Sequence, residues 1–140
     1  MEKYHLESYI GIDIEEGDGV DKICNMYNLV FEFGKEQFDI VVCMETLEHV
    51  EDWRLAISNL KTILKPGGIM IISAPIPGRK YHGYPFDFWR FTKEDWNMIF
   101  VDMHIQVLQG IKKGNVLKIK KPLDFQEIDL NHIELHSVKN

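Results

Sequence analysis

The chain has 140 residues, 45% of them hydrophobic, and a formal net charge of −6 at pH 7. That length suits one domain with a packed core, and the acidic balance disfavours a nucleic-acid backbone as the main partner. No apolar run approaches the roughly 20 residues of a membrane span, and the opening MEKYHLES has no apolar signal core. A cytoplasmic protein without a membrane or nucleic-acid partner is therefore expected.

Residues 9–13 (YIGID) read as a short strand ending in an acid, and residues 20–24 as a second, weaker one. Residues 25–35 read as loop with a turn of helix, broken at Gly34. Ile-Val-Val-Cys at 40–43 is β-branched and suits a strand buried on both faces. In the stretch 52–64, Trp53, Ala56, Ile57, Leu60, Ile63 and Leu64 recur at spacings of three and four, which predicts an amphipathic helix. Lys65-Pro66-Gly67-Gly68 then stops it, and residues 69–74 form another buried strand. Strand, helix and strand with a short return make a right-handed parallel crossover.

Residues 75–90 form a long aromatic loop, PIPGRKYHGYPFDFWR; a loop of that length in a compact domain usually carries function. Thr92 with Asp95 three residues on predicts a capped helix running to about Met103, with Trp96, Ile99, Phe100 and Met103 inward. Residues 104–111 and 115–121 read as an antiparallel hairpin. Its lysines, Lys112, Lys113, Lys118, Lys120 and Lys121, suit either an anionic partner or the protection of a sheet edge. The domain is taken as residues 1–121, with 122–140 as a tail of no clear period. Cys24 and Cys43 end apolar runs and read as buried small hydrophobes in a reducing compartment; with so few ligands no metal site is expected.

FDIVVCMETLEHV followed by LKPGGIMIISAP, with YIGIDI upstream, resembles class I S-adenosylmethionine-dependent methyltransferases of the type 11-like group, which act on small molecules and cell-surface sugars. The three stretches resemble that family's fourth, fifth and second strands, over residues 9–100. The resemblance implies a Rossmann-like α/β fold, mostly parallel, with a C-terminal antiparallel hairpin. It implies S-adenosylmethionine as cofactor and a small-molecule or sugar-type methyl acceptor.

Carried over residue by residue, the resemblance gives Asp13 the cofactor's ribose hydroxyls. The alternative is a loop acid without a ligand. Asn25 and Met26 match the place that meets adenine; here an Asn stands where the family often has Asp, and a turn-forming Asn is the other reading. Cys43, Met44 and Glu45 match the strand end that lines the methionine part through backbone groups. His49 is a weak candidate for a general base, since its intrinsic pKa suits that task; packing or hydrogen bonding is the plainer role. His82, Tyr84, Asp87, Trp89 and Arg90 match the substrate side, where aromatics with one acid and one arginine suit a polar ring-bearing acceptor. A lid packed on the core is the alternative there.

The family's cofactor site starts with a strand, an E/D-x-G-x-G loop and a helix. Only eight residues precede Tyr9, and none is glycine, so the first strand and helix are expected to be absent. In the family that strand lies between the second and fourth. Three consequences are open: a partner chain or a second copy fills the gap, residues 9–13 pair directly with 40–43, or the fold survives without activity as an interaction or regulatory module. Weak cofactor binding by this chain alone is expected.

Overall fold

The computed structural model describes residues 7–81 and 86–138. Strand β1 (Ile12–Asp13) pairs in parallel with β2 (Lys22–Ile23), and the two form a small sheet of their own. A 3-10 turn (Met26–Asn28) leads into helix α1 (Leu29–Phe33), which ends at Gly34 with φ +85°. Then come β3 (Phe38–Met44), a second 3-10 turn (Leu47–His49), α2 (Trp53–Ile63) and β4 (Leu64–Pro75). After β5 (Trp89–Arg90) and α3 (Lys93–Ile99), β6 (His104–Ile111) and β7 (Gly114–Lys120) form the expected hairpin. The larger sheet has the order β3-β4-β7-β6, with β3 and β4 parallel and the other pairs antiparallel. Strand β8 (His136–Ser137) pairs antiparallel with β5.

The predicted crossover forms where the pattern put it. Asp52 caps α2, its Oδ1 accepting from the Leu55 N–H at 3.1 Å. Trp53, Ala56, Ile57, Leu60 and Ile63 are buried in one core with Val41, Cys43, Met70 and Ile72 of the strands. Each large side chain so buried contributes about 1.5–3 kcal/mol. Beside α2 runs an aromatic column: Phe91 stacks on Trp96 at 4.4 Å, Trp96 on Phe100 at 6.0 Å, and Trp53 meets Phe91 edge-on.

Several expectations need correction. Strand β3 is buried on one face only: Val42 and Met44 are 60% and 45% exposed. The helices gather around α2, on the side of Val41 and Cys43, and among the described residues no helix covers the other side. Lys65-Pro66-Gly67-Gly68 is a bulge inside β4 and not a loop before it, because Leu64 already pairs with Phe38 before Ile69 pairs with Ile40. A side chain on Gly68 would put its Cβ 2.9 Å from the Asp39 carbonyl oxygen, so only glycine lets the two strands rejoin. Helix α3 stops at Ile99, short of Met103. Its continuation is pulled aside because Asp102 meets buried Lys61 at 2.8 Å. Its start is as read, a capping box between Thr92 and Asp95. Lys121 guards no edge: it is buried, and its Nζ donates to the carbonyls of Lys61 and Leu64 at 2.6 Å. Strands β1 and β3 do not pair; among the described residues β3 is an edge strand with no neighbour on its outer side. Strand β1 pairs over two residues with β2 alone, and the turn after β2 is tied to α2.

No helix among the described residues is long and apolar enough to cross a membrane.

Candidate active site

Parallel strands bring the residues that follow them to one edge of the fold, where open α/β sheets bind ligands. The tie between the two sheets is local and specific. Asn59 of α2 donates through Nδ2 to the Met26 and Tyr27 carbonyls, at 2.9 and 3.0 Å. The Asp52 N–H donates to Tyr27 Oη at 2.9 Å. Asp52 opens α2, just beyond the carboxyl end of β3, so the carboxyl end of β2 lies at that same end of the molecule. Strand β1 runs parallel to β2, and Asp13 is therefore brought there as well.

Asp13 stands exposed in a tight turn. Its Oδ1 accepts from the Ile14 and Glu15 N–H groups at 2.6 and 3.3 Å, and among the described residues its Oδ2 makes no hydrogen bond. Gly11 sets up that turn: a Cβ there would lie 1.9 Å from the Gly19 carbonyl oxygen. A cavity of about 300 Å³ opens beside Asp13, lined also by Glu15, Glu16 and Asp18. Four carboxylates repel a pyrophosphate and accept from hydroxyl and cationic groups. Asn25 Oδ1 caps the first 3-10 turn by accepting from the Tyr27 N–H at 2.9 Å, so the turn-forming role is occupied. Met26 is half-buried against the core.

At the end of β3, Cys43 points into the core, and burial pushes its thiol up to about 12. Only its backbone can line a ligand. Glu45 has φ +49°, an unusual conformation for a residue with a side chain. Ser73 holds it there: the Glu45 N–H donates to the Ser73 carbonyl at 3.0 Å, and Ser73 Oγ donates to Glu45 Oε1 at 3.1 Å. Glu48, fully buried three residues on, was not singled out from the sequence. Burial pushes its carboxyl up to about 8, and the hydrogen bond and charge of Glu45 add to that, with the charge of Asp87. The signal available was its place in ETLEHV, one 3-10 turn from Glu45. His49 Nδ1 lies 2.6 Å from the Phe86 carbonyl. A carbonyl only accepts, so Nδ1 carries a proton.

Residues 86–90 are fastened to this edge. The Phe88 N–H donates to the Glu48 carbonyl at 2.7 Å, the Phe91 N–H to the Pro75 carbonyl at 2.9 Å, and Trp89 Nε1 to the Val50 carbonyl at 2.9 Å. Arg90 is 1% exposed, and all five of its N–H donors are used. They reach the Asp87 carboxylate twice and the carbonyls of Arg79, Lys80 and Trp89. His82 and Tyr84 lie outside the described residues. The other residues singled out for the site thus gather at one edge, with Asp87 and Arg90 turned into a buried ion pair beneath it.

The comparisons with known proteins bear on the family and the fold. The family described as "Methyltransferase domain" matches residues 1–111. A ubiquinone biosynthesis O-methyltransferase from Coxiella burnetii is 47% identical over 105 residues, which are 75% of this chain and 43% of that protein. The chain spans less than half the length of the curated relatives it matches. Among solved structures, a Burkholderia thailandensis 1,6-didemethyltoxoflavin-N1-methyltransferase with bound S-adenosylhomocysteine superposes with a TM-score of 0.61 at 15% identity, over 79% of this chain and 60% of that one. A putative type 11 methyltransferase from Sulfolobus solfataricus gives 0.57 at 18% identity, over 89% and 74%. These likenesses carry the Rossmann-like fold. With the family match over most of its length, the chain belongs to the methyltransferase domain family.

Proposed function

We propose that this chain forms the ribose, methionine and acceptor sides of a site that uses S-adenosylmethionine to methylate a small-molecule acceptor. When bound, that cofactor supplies an electrophilic methyl group on a sulfonium. A hydroxyl on a small ring-bearing or sugar-type acceptor is the favoured nucleophile, in keeping with the O-methyltransferase name of the Coxiella burnetii relative. The observation that carries the reading is the shared edge: Asp13 with Oδ2 uncommitted among the described residues, an acidic cavity beside it, and Glu45 and residues 86–90 at the same end. The residues present fit the group, because the cavity favours hydroxyl and cationic donors over a dinucleotide's phosphates.

Asp13 accepts from the ribose hydroxyls. Asn25 and Met26 meet the adenine, and the backbone around Cys43 and Glu45 lines the methionine part. His49, its ring oriented by the Phe86 carbonyl, is the candidate for taking the acceptor's proton. Asp87 and Arg90 act from beneath, holding residues 86–90 in place. The protein works in the cytoplasm. Alone, the chain binds the cofactor weakly, because among the described residues the outer edge of β3 has no neighbouring strand and Val42 and Met44 stand exposed. A further polypeptide segment or a second copy completes that edge.

A second reading, a non-catalytic interaction module, is favoured by the same open edge with its exposed Val42 and Met44. Isothermal titration with S-adenosylmethionine, S-adenosylhomocysteine and NAD separates the two, beside light scattering for the oligomeric state. We expect binding of the first two weaker than low micromolar and none of NAD. Asp13→Ala should weaken that binding by a further 1–3 kcal/mol or so through lost charge-assisted hydrogen bonds. No binding of either methyl-cofactor form, with the open edge occupied or not, sinks the enzymatic reading. Low-micromolar binding by a monomer overturns the claim that the chain alone is deficient.

A further inference from the structure

The segment after Lys121 carries no periodicity, lies beyond the family match, and yet runs from the base of the fold to the acceptor side. At the base, Lys121 is fastened to α2 and β4. Next, the Ile128 N–H donates to Asp102 Oδ2 at 3.2 Å. Arg54 on the outer face of α2 then takes hold of it: Nε donates to the Leu130 carbonyl at 3.1 Å and Nη2 to the Ile133 carbonyl. Leu130 and Ile133 are buried there, 6% and 1% exposed. Beside these anchors an open surface hollow of about 560 Å³ is lined by α2 and residues 127–131. The segment ends as β8, paired with β5 in the register Trp89↔Ser137 and Arg90↔His136, and the Val138 N–H donates to the Phe88 carbonyl at 2.9 Å.

Phe88 is the junction. Its carbonyl accepts from the C-terminal segment, and its own N–H donates to the Glu48 carbonyl, beside Glu45 and His49. We propose that residues 122–138 are a strap that positions residues 86–90 over the carboxyl edge, with Arg54 as its latch. Docking of the strap and ordering of the acceptor side are then one equilibrium. The attachment is local, made by two hydrogen bonds from Arg54, a two-residue strand and the buried Leu130 and Ile133, and this makes that equilibrium separable from global unfolding. The functional meaning rests on residues 86–90 being the acceptor side; the mechanical coupling does not.

The test is amide hydrogen exchange by NMR on the full chain without ligand, comparing wild type with Val138→Pro, which removes the donor to Phe88, and with Arg54→Gln, which removes the latch. Leu123→Ala, an exposed change in the same segment, is the control. Both variants should speed exchange at Phe88 and Phe91 about tenfold, as they do across residues 127–138, while the amides of β4 and β7 stay near wild type. Unchanged exchange at Phe88 and Phe91 with a loosened strap overturns the proposal, as does uniform acceleration through β4 and β7, or a strap that neither change loosens. Because no cofactor is present, failure here is distinct from failure to bind S-adenosylmethionine.

Discussion

The two sheets are built on different terms. The four-stranded sheet is long and closed over by α2 and the aromatic column; Met70, Ile72 and Ile119 have no exposure at all. The β1–β2 pair has two rungs, Ile12 with Lys22 and Asp13 with Ile23, and its Ile10, Ile14 and Ile23 are 46–56% exposed. Yet Asp13, the proposed ribose contact, is in the weaker sheet, whereas residues 86–90, the proposed acceptor side, are fastened to the stronger one through the Phe91 N–H and the Pro75 carbonyl. The proposed acceptor side is thus attached to the longer, better-buried sheet and the proposed cofactor contact at Asp13 to the two-rung one, and stability should differ between the two sheets.

The strongest way to break the better-buried half is at its aromatic column. Trp96 is fully buried and stacked between Phe91 and Phe100. Trp96→Ala should cost about 3–5 kcal/mol in chemical denaturation. A loss below about 1 kcal/mol would mean that the column is not the centre of the fold.

A smaller effect sits at Glu48, whose carbonyl accepts from the Phe88 N–H. Its carboxyl titrates near 4.5 when unfolded and is pushed up to about 8 in the fold. The folded state therefore holds the extra proton between those values. Stability from this group is complete below the lower value and is lost as pH rises through the upper one. Glu48→Gln, which keeps the shape without the charge, should gain about 1–3 kcal/mol relative to wild type at pH 8.5. At pH 5 the difference should shrink. A pH-independent difference would remove the buried charge as its cause.

The better-buried half was also the legible half. Its spacing of apolar residues, its helix caps and KPGG are local signals, and the crossover, the hairpin and the start of α3 follow from them. What the sequence did not reveal is long-range. Lys121 looks like any surface lysine until Lys61 and Asp102 are seen beneath the sheet. The C-terminal segment has no period because it is neither a helix nor a long strand: its polar anchors are carbonyls met by Arg54, which any residue supplies, and its buried Leu130 and Ile133 follow neither spacing. Arg90 and Asp87 suited a substrate by type, but their pairing with each other and with backbone carbonyls depends on how residues 79–80 fold back. Asp13 was legible because a strand ending in an acid is a local pattern, whereas the failure of β1 to reach β3 is a matter of which neighbour it meets.

The smallest expected effects fall on the tie between the two halves. Asn59 is 8% exposed and donates to two carbonyls of the turn after β2. Asn59→Ala leaves both without that donor and should cost about 1–2 kcal/mol. Tyr27 offers one acceptor to the Asp52 N–H from a partly exposed position. Water replaces it easily, so Tyr27→Phe should cost about 0.5–1 kcal/mol. The informative measurement is where the loss appears. If α2 holds the weaker sheet through these bonds, the Cys24 N–H, which donates to the Asp13 carbonyl at 2.9 Å, should exchange faster in both variants. Amides of β4 paired to β3 should not, because the four-stranded sheet needs neither bond. Equal acceleration at Cys24 and in β4 would mean that the two sheets open together, and that the two-rung sheet is held no more loosely than the four-stranded one.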